Sequence, residues 1–287
     1  MRFLILFLFL NIFLLSCSNN EKTSPVEDFH ILYISNLNGA IESCECGDPP
    51  LGGLSKISTV VNDYRNRYKN VVFIDGGDAF NSYPYKQLNI AVADAYKIIQ
   101  PDIWTIAEQE FVDGSEFLIN QLLESSLYFV AGNYSVKGLN LVKYRIFNYG
   151  LNKIAFTSYL QPGLIKNDLK PDNILFDDNH DLKNFNKDAF RVLLFHGTEK
   201  DYTHKINLLK EYDMILLAHQ AVPIFNTESK PVVFGGLFDG EKILHISLHK
   251  SGDRFKINAE FIEIFQSIKS DPAIEKIVEN YLITLQK

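Results

Sequence analysis

Short apolar, β-branched runs recur along this chain, and between them lie segments whose apolar residues return at helical spacing. That alternation is the pattern of an α/β protein. The runs predict strands over residues 30–35, 71–74, 104–107, 128–131, 154–159, 192–195, 214–218 and 232–234. Leu54, Ile57, Val60, Val61 and Tyr64 trace one face of a helix, and Phe117, Leu118, Gln121 and Leu122 trace a less regular one. Toward the end, ILHISLHKSGDRFKINAEFIEI alternates in character on both sides of Ser251 and Gly252, as a hairpin does. DPAIEKIVENYLITL then places Asp271 to cap a helix and Pro272 in its first turn. The stretch from Gln161 to Asp188 is polar and rich in Asn and Asp, and reads as a long surface excursion.

The first residues break this pattern. Arg2 precedes an unbroken apolar run from Phe3 to Leu10, followed past Asn11 by IFLL and by Ser16 and Cys17. The run is shorter than the roughly 20 residues a membrane-spanning helix needs, but it fits the core of a signal peptide. LLSC resembles the bacterial lipobox, whose Cys becomes the acylated first residue of the mature chain; an ordinary cleavable signal is the plainer alternative. The lipobox reading divides the chain into a signal peptide (1–16), a polar tether (17–28) and one domain (29–287). It predicts a bacterial cell-envelope protein, held on a membrane through a lipid on Cys17, with an envelope protein as a candidate partner.

Composition narrows the picture further. Hydrophobic residues make up 46% of the chain, enough for a sizeable core. The formal net charge is −7, and loss of Arg2 with the leader makes the mature chain more acidic still, which argues against binding a nucleic acid polymer. Of the three cysteines, Cys17 is assigned to lipid, leaving Cys44 and Cys46 in an exported compartment.

Candidate chemistry sits just after the predicted strands. Asn36 and Asn38 follow the first, Asp75 and Asp78 the second, Glu108 and Gln109 the third, Asn133 the fourth, His196 the sixth and His219 the seventh. In open α/β sheets ligands bind beyond the carboxyl ends of strands, where loops gather side chains from distant parts of the chain. Any one of these residues is explained as an ordinary polar turn. Two carboxylates and two imidazoles arriving this way are also the donor set a divalent transition metal takes when sulfur is absent.

Taken in order, FIDGGDAF, AEQEFVDG, LLFHG and MILLAHQ resemble the GD, GNHE, isolated His and GH-x-H blocks of the calcineurin-like metallophosphoesterases, in particular the catalytic domain of the 5′-nucleotidase branch. LYFVAGNY, PVVFGGLFDGEKILHISL and SNLNGAIESCECGDPPLGGLSKI have counterparts there as well, so the resemblance covers nearly the whole of the predicted domain. It implies a four-layer α/β/β/α sandwich of two mixed sheets. It also implies a phosphate ester or nucleotide as substrate, and two metal ions sharing a bridging Asp. Carried over residue by residue, one ion would be held by Asp78, Glu108, His196 and His219. The chain ends before the separate substrate domain that many 5′-nucleotidases append.

The second ion's positions depart from the pattern. Asn36 and Asn38 stand where the family has an Asp-x-His pair, and Ala221 stands where it has a His or Gln. Amide oxygens are weak neutral donors, and Ala offers none. Gln109 replaces the His that assists the leaving group and cannot titrate. The expectation is therefore a degenerate phosphoesterase with no catalytic residue assigned, one divalent ion (Mn, Zn or Fe) and no second. Cys44 and Cys46 stay open among a local bridge, free thiols, a partner's thiol, a soft-metal or redox pair, and a loop clamp beside Gly47, and a redox or sulfur-related role through them is an alternative function. His30, His180, His204, His245 and His249 lack matching context and are read as structural or solvated, and Asp75 as a turn cap.

Overall fold

A computed structural model describes residues 27–44, 47–123, 125–165, 174–177, 186–220 and 222–286. Two mixed sheets stack face to face and carry helices on their outer surfaces, giving the predicted four-layer α/β/β/α sandwich. The first sheet runs in the order Arg254–Glu263, Lys242–Ser251, Phe29–Ile34, Asn70–Asp75, Ile103–Trp104, Phe129–Val130, Leu141–Val142. The second runs Ile224–Asn226, Val232–Gly235, Met214–Ala218, Phe190–His196, Asn152–Leu160, Tyr144–Tyr149. Each has a parallel centre and antiparallel neighbours at an edge.

Period-2 alternation assigns each strand's faces. Within Phe29–Ile34, Ile31 and Tyr33 enter the core between the sheets, with Val192, Leu194, Met214 and Leu216 opposite. Leu32 and Ile34 face the other way, into a second core against Ile57, Val61, Val92 and Tyr96 of the helices Leu54–Arg67 and Lys86–Ile99. Leu193, Phe195, Ile215 and Leu217 cover the outer face of the second sheet with Leu209 from the helix Glu199–Leu209. Strands buried on both faces read as continuous apolar runs, which is why VLLF and MILL were legible.

Several expectations need correction. The third and fourth strands pair only over Ile103–Trp104 and Phe129–Val130, because the chain leaves the ladder early; Thr105 N still donates to Asp75 O at 2.9 Å. The segment from Gln161 to Asp188 is not a surface excursion throughout. Ile165 and Ile174 are buried, and Ile174–Phe176 pairs antiparallel with Tyr134–Val136. The helices Lys86–Ile99 and Glu199–Leu209 were not singled out in the sequence. The first shows Ala91, Val92, Ala95, Tyr96 and Ile99 at helical spacing, and the second opens with a capping box of Thr198 and Asp201.

Candidate metal centre

The carboxyl ends of the parallel strands of both sheets converge at one edge, and the loops there are tied together before any side chain acts. Asn36 N donates to Gly77 O at 2.9 Å, Asn38 N to Asp78 O at 2.9 Å and Asp239 N to Asn36 O at 2.8 Å. Seven non-glycine residues among those described have positive φ. Five of them, Asn36, Asn38, Asp78, His219 and Asp239, lie here at 51°, 55°, 60°, 58° and 51°. Such backbone costs on the order of 1–3 kcal/mol per residue and persists where surrounding contacts over-determine it. Gly77, at φ 104°, lets the loop pass under the site, since a Cβ there would lie 2.7 Å from Ala107 Cβ and 2.9 Å from His196 Nδ1.

Onto this frame the fold brings Asp78, Glu108, His196 and His219, with one donor atom from each lying within 4.8 Å of all the others. His196 Nε2 is 3.0 Å from Glu108 Oε2 and 3.3 Å from Asp78 Oδ2, while His219 Nδ1 is 2.6 Å from Glu108 Oε1 and 3.4 Å from Asp78 Oδ2. Tetrahedral donors at metal bonds of 2.0–2.1 Å stand about 3.3 Å apart, so most of these separations already suit a common ion. His196 Nδ1 lies 2.9 Å from the Gly76 carbonyl, to which it can only donate. That contact turns Nε2 toward the carboxylates, the orientation a ligating imidazole takes. Despite their 3.0 Å approach, His196 Nε2 and Glu108 Oε2 are buried without an aligned hydrogen bond, so each keeps a free coordination direction. The donor set and these two atoms fit a divalent transition metal.

The electrostatics point the same way. Burial works to raise the Glu108 carboxyl, but the charge and close approach of His196, and then of His219, hold it far below the usual range. Burial works to lower His196, and the charges of Asp78 and Glu108 overcome it and hold the ring well above an ordinary histidine. Hydrogen bonds to Asp78 and then Glu108 lift His219 to about 9. The pocket thus attracts positive charge.

The positions expected to fail as ligands are built into the protein's own hydrogen bonding. Asn36 Nδ2 donates to Leu237 O at 2.8 Å, and its Oδ1 accepts from His219 N at 2.9 Å. Asn38 Nδ2 donates to Asp239 Oδ1 at 2.7 Å, and its Oδ1 accepts from Gln109 Nε2 at 3.0 Å. Both amides are occupied at both ends. Ala221, Cys46, Cys17 and His180 lie outside the described residues. Cys44 belongs to the short strand Ser43–Cys44, which pairs with Leu51–Gly52. Asn133 joins the strand ends instead, donating to Leu160 O and accepting from Leu160 N, both at 2.9 Å. His30 and His245 stack on the helical side of the first sheet, 3.0 Å apart through their nitrogens, and His249 meets Asp28.

Sequence reasoning passed over three residues. Glu110 is fully buried and accepts from the backbone N–H groups of Asp78, Ala79, Phe80 and Ala107, splinting the Asp78 loop. Burial and then repulsion from Asp78 push its carboxyl to about 8. Its only mark in the sequence was a Glu beside the apolar Phe111 inside AEQEFVDG, which reads like any charge near a turn. Asp239 and Tyr96, which bind Asn38 and Asp75, carried none, because each is tied to its partner only by folding.

Beside the four side chains lies a cleft of about 370 Å³, with Glu108, Gln109 and His219 on one wall and Val112, Leu164 and Ile165 on another. Fold and site together define an architecture of the metallo-dependent phosphatase type. Its solved neighbours are calcineurin-like phosphoesterases and 5′-nucleotidases. A sulfate thiohydrolase from Thermus thermophilus aligns with a TM-score of 0.75 at 14% identity, covering 91% of this chain and 61% of that one. The NAD nucleotidase of Haemophilus influenzae gives 0.72 at 17%, covering 90% and 60%. A calcineurin-like phosphoesterase from Bacillus subtilis gives 0.70 at 17%, covering 92% and 100%. The chain thus spans about three fifths of the length of the first two. No protein-family profile and no curated protein matches the sequence.

Proposed function

We propose that this protein is a lipid-anchored, phosphoesterase-like protein of the bacterial cell envelope that holds one divalent ion through Asp78, Glu108, His196 and His219. Its cleft takes a phosphate ester such as a nucleotide and hydrolyses it weakly or not at all. The observation that carries this reading is the convergence of four side chains from four separate strand ends within 4.8 Å. Mn, Zn and Fe all suit two imidazoles and two carboxylates. When bound, such an ion supplies Lewis acidity toward a phosphoryl oxygen and a lowered pKa for water.

The protein's own residues account for the weak chemistry. Asn36 and Asn38 serve as clamps between loops, with their oxygens already accepting hydrogen bonds. Gln109 reaches the cleft but cannot hand a proton to a leaving group, a role typically contributing about 10²–10⁴ in rate. That occupied amide network also favours a second reading, in which the cleft binds a ligand or an envelope partner without turnover. In either case the anchor is Cys17, at the end of the 17–28 tether. No helix among the described residues is long and apolar enough to cross a membrane.

Metal analysis after chelation and reloading with manganese or zinc tests the centre. One equivalent is expected, and Glu108→Ala should weaken its affinity by more than the roughly 10–100-fold lost when only a hydrogen-bond partner of a ligand is removed. Protein that recruits neither metal defeats the proposal. Turnover of nucleotides and phosphodiesters by the loaded protein then separates weak hydrolysis from binding alone.

A further inference from the structure

We propose that the end of the molecule opposite the metal-capable cleft docks onto the anionic phospholipid headgroups of the membrane that carries the chain. A cavity of about 640 Å³ opens there, lined in part by Lys153, Lys187, Lys230, Lys250 and Arg254. Three carboxylates share the lining, Asp188, Asp213 and Asp253. Asp213 is already engaged, with Oδ1 3.3 Å from Lys230 Nζ and Oδ2 accepting from Arg191 N at 2.9 Å. Lys250 Nζ sits 4.6 Å from the centre of the Phe255 ring, and no ion pair among the described residues engages Lys153, Lys187 or Arg254. In a chain of net charge −7 this is a local reversal of sign.

Topology fixes where this cavity lies. Phe190 lines it, and His196 closes the same strand in the metal centre; Asp213 precedes Met214–Ala218 and His219 follows it. At about 3.3 Å per residue the two ends are roughly 20 Å apart. The N-terminal tether joins at the cavity end. Asp28 Oδ1 is 2.7 Å from Nδ1 of His249, the neighbour of Lys250. Ring contacts then run from Phe29 to Tyr149 at 6.0 Å, Tyr149 to Phe255 at 6.2 Å, and Phe255 to Phe190 at 4.9 Å, linking the start of the first strand to the cavity wall.

Eleven residues of chain separate Cys17 from Asp28, a reach of at most about 36–40 Å. An anchor on Cys17 therefore holds this basic end within reach of the bilayer, where each Lys or Arg near an anionic leaflet contributes about fivefold to partition. The docked orientation turns the cleft away from the membrane. It rests on the anchored reading of Cys17, while the basic cavity and its position relative to Asp28 do not.

The test is amine acetylation of the purified protein, read at each lysine by mass spectrometry. The protein is mixed with vesicles of phosphatidylcholine alone or of phosphatidylcholine with phosphatidylglycerol. Lys153, Lys187, Lys230 and Lys250 should be protected by the anionic vesicles at low salt and released at high salt. Lys86 and Lys276, exposed on the helices of the first sheet, should label throughout. Lys153→Gln with Lys187→Gln, both exposed, should raise the anionic lipid needed to half-protect Lys230 and Lys250 by roughly 25-fold. Lys86→Gln with Lys276→Gln should leave it unchanged. Equal labelling with both vesicles overturns the docking, as does protection that survives high salt. Equivalent protection by free glycerol 3-phosphate, marking a small-anion site, overturns it too. Flotation with phosphatidylcholine vesicles at high salt reports the Cys17 anchor separately, so a missing anchor and a missing docking surface give different results.

Discussion

Asp75 shows at the scale of one residue how burial sets behaviour that no motif announces. Its Oδ1 accepts from Gly77 N at 2.7 Å, the turn cap expected of it, and Oδ2 accepts from the hydroxyl of Tyr96. Burial raises its carboxyl to about 7, with the bonds to Tyr96 and Gly77 and the charge of His196 pulling down and the charge of Asp78 pushing up. Between about pH 4 and 7 the native state keeps a proton that the unfolded chain releases, so this group's contribution falls as pH rises through that window. Asp75→Asn cannot titrate. In chelated protein unfolded by urea, wild type should lose stability relative to Asp75→Asn from pH 4.5 to 7.5, by at most about 4 kcal/mol. Parallel curves for the two proteins would refute this account. Asp78, Glu108, His196 and His219 were legible in the sequence because each follows an apolar run. Glu110 was obscured, since a buried carboxylate holding four backbone amides looks, in one dimension, like any charge near a turn.

Elements were legible in proportion to how uniformly they are buried. The central strands appear as unbroken apolar runs, whereas Ile103–Trp104 and Phe129–Val130 are short because the loops after them are diverted into the site. The helix Pro272–Leu285 was read from its cap, and its structure makes that cap a tie to a distant helix. Asp271 Oδ1 accepts from Ala273 N at 3.0 Å, and Oδ2 accepts from the Ser58 hydroxyl at 2.6 Å. Asp271→Ala removes a cap worth about 1 kcal/mol and a charge-assisted hydrogen bond worth about 1.5–3 kcal/mol. Urea unfolding should show a loss of roughly 2–4 kcal/mol, with Ser58→Ala recovering only part of it. A loss within the error of wild type would mean that the helix is held by apolar packing of Ile274, Ile277, Val278 and Tyr281 instead.

At the scale of the whole molecule, the site is a matter of where charge has been placed. Glu108 contributes one of the two carboxylates among the four gathered donors, and neutral amides take the neighbouring positions. Asn36→Asp, Asn38→His, Gln109→His and Ala221→His together should raise bound manganese from one equivalent to two. Hydrolysis of a phosphate ester should rise by about 10²–10⁴, the usual contribution of a positioned acid or base. The gain has a structural cost, because a carboxylate at position 36 would face the Leu237 carbonyl, to which Asn36 now donates. A quadruple variant that folds, binds two ions and stays inactive would show that the cleft, rather than the missing groups, limits chemistry.

The order of the main strands, the acidic balance, the apolar run that precedes Cys17 and the identity of the candidate ligands are all determined by the sequence alone. They depend on periodicity, composition and local turn chemistry, which act over a few neighbouring residues. Tertiary structure decided the rest: that Asn36 and Asn38 clamp loops, that Glu110 and Tyr96 support the site from beneath, and that five cations gather at the far end beside the tether. Those facts join residues far apart in the chain through contacts of a few ångströms, and only the packing of two sheets against each other brings such partners within reach.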